Sequence, residues 1–156
     1  MMFRDFIVRD AIISDMAADN PRAAIAEMLD ACVASHVFGA EAREGVLAGV
    51  IEREKLCSTA IGFESAVPHA KHPAVHRLAG LVARSRAGVP FSAPDGKPVR
   101  LFFLVLSSQA QTARHLEALA HISNCLRQDL FRQFLLTARD AGEIADLLND
   151  FDMRMQ

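Results

Sequence analysis

The chain has 156 residues, a length that is most simply one domain with its own hydrophobic core. Hydrophobic residues make up 51% and charged residues 23%, as in ordinary globular proteins, so the composition excludes a disordered chain. The formal net charge is -2 and no dense run of Lys and Arg occurs, which argues against binding to nucleic acid.

The cysteines and the N-terminal residues indicate the cellular compartment of the protein. Cys32, Cys57 and Cys125 are odd in number and form no C-x-x-C pair, so we expect reduced thiols. No apolar run is long enough to span a membrane, and residues 1–5 lack the apolar stretch of a signal peptide. We therefore expect a soluble, cytoplasmic protein without direct membrane insertion.

Two antiparallel helices are predicted at the start of the fold. The first begins at Asn20-Pro21, an N-cap residue followed by proline at the first helical position. Apolar residues then recur at helical spacing, and Gly39 is expected to end this helix. A second amphipathic helix is predicted over about residues 41–55.

The middle of the chain predicts strands. Residues 62–76 are interrupted by glycine and proline, which indicates a short strand and a long loop, and long ordered loops are often functional. Two apolar runs follow, over residues 78–83 and 99–106, joined through the Asp95-Gly96 turn signal. The second run is too apolar to alternate, as in a central strand that is covered on both faces.

Three helices are predicted after the last strand. A stripe at helical spacing predicts the first of them, formed by Leu116, Leu119, Ile122 and Leu126, with His115 in its first turn. Further helices are predicted over residues 130–136 and 141–148. The sequence thus predicts a single α/β domain in which a small mixed β-sheet is flanked by helices on both faces.

His69, His115 and Arg53 are candidates for a shared site, because each lies near the predicted end of an element and one rim of the sheet could hold all three. Phosphoryl transfer needs a nucleophile, a cation and fixed hydrogen-bond donors. His69 would be the nucleophile and Arg53 the electrostatic clamp. His115 would orient and stabilise, and its place in a first helical turn favours a nearby anion.

Each of these residues also has a plainer interpretation. His69 alone could be a solvated loop residue, His115 a hydrogen-bonded core histidine, and Arg53 a cation at a helix C-terminus. Cys57 could pair with His69 as thiol and base, but no oxyanion hole or orienting acid is identified for that chemistry.

A metal site is the alternative from a different class. His69, His72 and His76 are spaced i, i+3, i+7, which would suit zinc if they lay on a helix. Pro73 opposes this geometry, because it removes a backbone donor and biases His72 away from helical angles. A non-catalytic, histidine-rich metal-binding module remains the alternative to phosphoryl transfer.

Several short motifs occur in a fixed order along the chain. They are Arg53-Glu54-Lys55, Ser58-Thr59, Ile61-Gly62, Ala66-Val67-Pro68-His69-Ala70-Lys71, Phe91, Asp95-Gly96, Val99, and His115-Leu116 followed by Leu119-Ala120. In this order and spacing the chain resembles, over about residues 6–150, the enzyme IIA component of the bacterial phosphoenolpyruvate-dependent phosphotransferase system, in its fructose, mannitol and nitrogen-regulatory class.

The resemblance implies a phosphotransferase component in which residues 1–156 form one phosphocarrier domain. His69 would accept a phosphoryl group from the histidine-containing phosphocarrier protein, His115 would pack beside the phosphorylated ring, and Arg53 would hold the phosphate. The group would then pass to a cysteine of enzyme IIB or, in regulatory members, its presence would control binding to soluble target proteins. The resemblance implies neither a cofactor nor a metal.

Two departures from the family pattern concern the surroundings of the site. The family commonly has glycine where this chain has Ala60 and Glu64, and the charge of Glu64 is expected to oppose a phosphoryl dianion if it approaches His69. The family also often has a proline after the central strand, where this chain has Ser107-Ser108, so we expect an altered approach to the following helix.

A shallow docking patch is expected around the reactive histidine. Transfer between two proteins happens where their surfaces meet, so apolar residues near His69 would dock the partner and displace water. Phe63 and Val67 are the candidates, with core packing as the alternative for Val67.

Overall fold

A mixed β-sheet lies between two layers of helices in residues 1–154, which are those that the computed structural model describes. The α-helices of this range are α1 (Pro21–Ala34), α2 (Arg43–Leu56), α3 (Thr112–Leu126), α4 (Asp129–Thr137) and α5 (Ala141–Arg154). Its strands are β1 (Ala60–Gly62), β2 (Ser65–Ala66), β3 (His69–Lys71), β4 (Ala79–Val89) and β5 (Val99–Ser107). None of these helices has the length and apolarity that crossing a bilayer requires. The predicted α/β fold class is confirmed.

The strand β5 organises the sheet. It pairs in parallel with β2 and β3 along one edge and antiparallel with β4 along the other, while β1 pairs antiparallel with β2. β2 and β3 follow one line, because Ser65 pairs with Leu101 and His69 pairs with Val105 at the same register offset. Pro68 lies between them, where its missing N–H interrupts the ladder. Among the described residues β3 pairs only with β5, so it is an outer strand.

Side chains of β5 alternate between the two helical layers. The even-numbered residues from Phe102 to Leu106 belong to the core cluster that includes residues of α1 and α2. The odd-numbered residues from Leu101 to Val105 belong to the cluster formed with α3, α4 and α5. Because helices cover both faces, β5 is apolar at nearly every position and its sequence shows no alternation.

The helix α1 begins where it was predicted and ends earlier. The Oδ1 atom of Asn20 accepts from the backbone N–H of Ala23 at 2.9 Å, with proline in the first turn. The predicted end at Gly39 is wrong, because the helix stops at Ala34. His36 then adopts a positive φ of 62°, which turns the chain, and Gly39 precedes the 3-10 helix that leads into α2.

Residues 62–76 contain more strand than predicted. They contain β2 and β3, so His69 lies on a strand and the loop prediction for it is wrong. Strands of two and three residues are too short to produce a recognisable alternation. The strand β4 also extends beyond its predicted end at residue 83, to Val89, and contains the buried polar residues Arg84 and Ser85.

The N-terminal segment covers the far edge of the sheet. Ile7 and Ile13 form isolated parallel bridges with residues of β4. At the other end of the chain, the buried carboxylate of Asp152 in α5 accepts from the backbone N–H groups of Phe3 and Arg4, at 2.7 and 2.9 Å. These contacts fix the start of the chain against its last helix.

Candidate functional site

His69, His115 and Arg53 line one open pocket at the edge of the sheet. His69 lies on β3, His115 in the first turn of α3, and Arg53 in the last turn of α2. Because α2 packs against β3 while α3 packs against β5 from the other layer, the pocket collects residues from both layers. The ring centroids of the two histidines are 5.5 Å apart, with the rings inclined at 66°. The structure thus brings together the three residues that the sequence predicted at one rim.

The orientation of the His69 ring is fixed by its own segment of chain. Its Nδ1 atom lies 2.8 Å from the carbonyl oxygen of Val67. A carbonyl oxygen only accepts hydrogen bonds, so Nδ1 carries the proton and Nε2 keeps the lone pair. The nitrogen able to attack an electrophile is therefore Nε2.

The electrostatic surroundings keep the His69 ring neutral. Burial lowers the pKa of His69 below its usual value, the hydrogen bond to Val67 opposes this, and the positive charges of Arg53 and Lys71 lower the pKa further. The ring consequently stays unprotonated at a lower pH than a solvated histidine would. A neutral ring is the form that can act as a nucleophile.

His115 is a buried, neutral histidine, with 2% of its surface exposed. Burial, which is the largest cause, and the neighbouring His69 and Lys71 together lower its pKa to about 4. The Nδ1 atom of His115 lies 2.6 Å from the hydroxyl oxygen of Ser107. Because His115 lies in the first turn of α3, the positive end of the helix dipole lies beside the pocket.

Arg53 is anchored at the C-terminal end of α2. One guanidinium nitrogen, Nη1, donates to the carbonyl oxygen of Cys57 at 2.8 Å. A guanidinium has five N–H donors in a planar fork, so others stay available to oxygen atoms in the pocket. The adjacent Glu54 does not line the pocket, and its carboxylate accepts from the backbone N–H and the hydroxyl of Thr59.

Lys71 and Gln109 also line the pocket, and the sequence reasoning did not single them out as site residues. Lys71 follows His69 by two positions on β3 and so shares its face of the strand. Its Nζ atom donates to the hydroxyl of Thr112 at 3.2 Å. Among the described residues that line the pocket there are two cations and no carboxylate, an arrangement that favours an anion.

Comparison with known proteins identifies the family to which the chain belongs. The family model for the phosphoenolpyruvate-dependent sugar phosphotransferase system, EIIA 2, matches residues 5–151. The chain belongs to this enzyme IIA family. It is 34% identical over 148 residues to a nitrogen regulatory protein from Bradyrhizobium diazoefficiens, covering 95% of each chain. It is also 36% identical over 106 residues to the fructose-specific EIIA component from Haloferax volcanii, covering 68% of this chain and 69% of that protein.

Solved structures agree with the assignment to the enzyme IIA family. Nitrogen regulatory protein IIA-Ntr from Neisseria meningitidis matches with a TM-score of 0.82 and 31% identity, covering 92% of this chain and 97% of that one. The mannitol IIA structure from Escherichia coli matches with a TM-score of 0.75 at 21% identity, over 90% and 97% of the two chains, and supports the fold alone. As an enzyme IIA, the protein is a phosphotransfer component of a family that includes regulatory members.

Of the two residues of the predicted docking patch, Val67 follows its alternative of core packing, while Phe63 is exposed but lies outside the pocket. Val67 is buried in the core beneath α3 to α5, and Phe63 does not line the pocket but lies under the guanidinium of Arg132, 4.6 Å from the ring centre. Leu116 and Leu119 of α3 line the pocket instead. Leu116, a member of the stripe that predicted this helix, has 60% of its surface exposed.

Glu64 does not line the pocket of this enzyme IIA. Its carboxylate lies 3.3 Å from Nη1 of Arg100, a residue of β5. The expected repulsion between Glu64 and a phosphoryl group on His69 therefore has no structural basis. Ala60, the other departure from the family pattern, is buried in β1.

The histidines of the metal alternative do not converge. Within residues 1–154, the side chains of His, Cys, Asp and Glu form no group of three that could hold a metal ion. The Nδ1 atom of His72 accepts from the backbone N–H of Ala74 at 3.0 Å, and His76 is exposed. Cys57 is also exposed and does not line the enzyme IIA pocket.

Proposed function

We propose that this enzyme IIA accepts a phosphoryl group on Nε2 of His69 from the histidine-containing phosphocarrier protein. The observation that carries the proposal is a neutral imidazole whose free Nε2 belongs to a pocket with two cations and no carboxylate among its described residues. In the transfer, the Nε2 lone pair forms the new N–P bond while the P–N bond to the donor histidine breaks. The donor ring keeps the electron pair of the broken bond.

Positioning and charge supply most of the catalysis in this step. The transferred phosphoryl group spreads negative charge over its equatorial oxygens, which cations and fixed donors stabilise. Arg53 would hold these oxygens through its planar fork, and Lys71 would add a second positive charge. His115 would pack against the phosphorylated ring. Leu116 and Leu119 would meet the apolar surface of the partner.

For the downstream step we propose a regulatory role of the nitrogen-regulatory type. The similarity to nitrogen regulatory proteins, which covers 92% or more of this chain in each case, supports control of soluble target proteins by the state of His69. Transfer to a cysteine of enzyme IIB is the second candidate, which the fructose-specific relative supports. Mixing the phosphorylated protein with a purified enzyme IIB distinguishes the two, because only a transport member moves the phosphoryl group to the cysteine at a useful rate.

The cellular location of the protein and the extent of its domain are also proposed. The family resemblance implies that the protein is in the cytoplasm, where it would meet the phosphocarrier protein. We further propose that residues 1–156 act as one phosphocarrier domain, because both core clusters of the described residues share β5.

The direct test is phosphorylation with phosphoenolpyruvate, enzyme I and the phosphocarrier protein. The wild-type protein should gain one acid-labile phosphoryl group, and His69→Ala should gain none because its nucleophile is missing. His76→Ala is the matched control, since His76 is exposed and does not line the pocket. Label that persists on a folded His69→Ala variant would refute the assignment.

A further inference from the structure

Ser107 is a buried hydroxyl at the end of the central strand. It follows Leu101, Phe103 and Val105 at odd-numbered positions of β5, so it faces the layer that contains α3. Its side chain is fully buried, and its Oγ atom lies 2.6 Å from Nδ1 of His115. The strand thereby presents one polar atom to the buried side of a histidine that also lines the pocket.

The direction of this hydrogen bond follows from hydrogen-bond satisfaction. In the part of the chain that the structure describes, the Ser107 hydroxyl forms its hydrogen bond with Nδ1 of His115. If Nδ1 carried the proton and donated, the hydroxyl hydrogen would be buried without an acceptor, which is costly. If the hydroxyl donates, both groups are satisfied. Nδ1 of His115 is then the acceptor, and the proton of the neutral ring lies on Nε2.

We propose that Ser107 is a positioning residue that holds His115 in the tautomer protonated at Nε2, so that this N–H donates to a phosphoryl oxygen on His69. The second half of this inference rests on the proposed function. With Nδ1 engaged by Ser107, Nε2 is the nitrogen left to face the pocket and the His69 ring. The other tautomer would turn a lone pair toward the negatively charged oxygens.

The environment of His115 suits a neutral donor. Burial keeps the ring uncharged at neutral pH, so the tautomer alone decides whether Nε2 offers a hydrogen or a lone pair. A hydrogen bond to a charged acceptor is stronger than one between neutral groups. Loss of the Ser107 hydroxyl should therefore shorten the lifetime of the phosphohistidine and slow onward transfer, by about tenfold to a hundredfold.

The first experiment measures the tautomer without any phosphoryl group. The ring nitrogens of His115 are observed by ¹⁵N NMR in the wild type, in Ser107→Ala and in Ser107→Thr, which keeps the hydroxyl. We expect a protonated Nε2 in the wild type, a mixture of tautomers in Ser107→Ala, and recovery in Ser107→Thr. A wild-type His115 protonated at Nδ1 would overturn the proposal, and so would an unchanged tautomer in Ser107→Ala.

The second experiment measures the lifetime of phosphorylated His69 in the same proteins, with Ser108→Ala as the matched control. Ser108 is the next residue but bonds Gln111 rather than His115. We expect a shorter lifetime in Ser107→Ala only, and equal lifetimes in all variants would overturn the role of Ser107 in transfer. If the wild type takes no phosphoryl group at all, the proposed function fails, and the tautomer measurement still decides whether Ser107 positions His115.

Discussion

At the scale of single residues, the pocket combines two neutral imidazoles with two cations. Burial lowers the pKa of both His69 and His115, and the charge of Lys71 acts on each ring in the same direction. Folding therefore disfavours the protonated form of both histidines. Because the folded state binds these protons less readily than the unfolded chain, the free energy of unfolding depends on pH, and this dependence can be tested for the buried ring of His115.

The first prediction concerns acid stability. The pKa of His115 is about 4 in the folded protein and about 6.5 in the unfolded chain. The unfolded chain binds the extra proton between these values, so the stabilisation is complete above the unfolded pKa and is lost as pH falls toward the folded pKa. Between about pH 7.5 and about pH 5, we expect His115 to contribute a loss of about 2 kcal/mol in the free energy of unfolding.

Urea denaturation at the two pH values measures this loss. The His115→Leu variant should lose less stability on acidification than the wild type, by about that amount. His76→Leu is the control, because it replaces an exposed histidine. An identical pH dependence in the wild type and in His115→Leu would contradict the assignment of a neutral buried ring.

The second prediction concerns Arg53. Its guanidinium keeps free donors in the pocket, so Arg53→Gln should slow phosphorylation of His69 by about a hundredfold or more, since a positioned charged donor is removed. Stopped-flow or quenched transfer from the phosphocarrier measures the rate. Lys55→Gln serves as the control, because Lys55 is an exposed cation of the same helical turn that pairs with Glu52. Equal rates in the two variants would argue against a specific clamp.

The residues of the site differ in how well they could be predicted from the sequence. His69, His115 and Arg53 stand in motifs whose order along the chain is informative. The faces of Lys71 and Ser107 could not be predicted, for two different reasons. Lys71 lies on β3, whose three residues are too few to show an alternation. Ser107 ends β5, whose continuous apolar run shows no alternation either.

At the scale of elements, the turn between β1 and β2 carries backbone strain. Its two central residues, Phe63 and Glu64, both have a φ of 56°, as in the turns that favour Gly and Asn. A left-handed conformation costs a residue with a side chain about 1 kcal/mol or more. The ion pair of Glu64 with Arg100 is partly exposed, so its stabilising free energy offsets little of this cost.

The third prediction follows from that strain. Glu64→Gly should raise the free energy of unfolding by about 0.5 to 1 kcal/mol, because glycine adopts the turn without steric cost. Phosphorylation of His69 should be unchanged, since Glu64 does not line the pocket. Urea denaturation and the transfer assay test the two statements, with Glu64→Gln as the control that removes only the charge. Faster phosphorylation of both variants would mean that the charge of Glu64 reaches the pocket after all.

The elements themselves were unequally predictable. Amphipathic helices and the apolar run of β5 follow from side-chain periodicity and composition, which are local properties. The length of β4 was not predictable because the buried Arg84 interrupts its apolar pattern. The guanidinium of Arg84 donates to the carbonyl oxygens of Ser14 and Leu135, which are distant in sequence and come close only in the folded chain.

At the scale of the whole molecule, a buried side chain of α5 anchors the N-terminal segment to that helix. The carboxylate of Asp152 accepts from two backbone N–H groups, and its removal would leave the buried N–H of Phe3 without a partner. We predict that Asp152→Ala lowers the free energy of unfolding by about 2 to 4 kcal/mol. Asp150→Ala, an exposed change on the same helix, should have little effect. Thermal or urea denaturation measures both, and similar losses would contradict the anchoring role.

Because the pocket lies where the two helical layers meet at an outer strand, it depends on the completion of both. The cation on α2 belongs to one layer and the second imidazole on α3 belongs to the other, while the reacting ring sits on the strand between them. A partly folded molecule would contain His69 without the side chains that position the phosphoryl group. Only the native fold would then accept a phosphoryl group, so misfolded molecules would not take part in phosphoryl transfer.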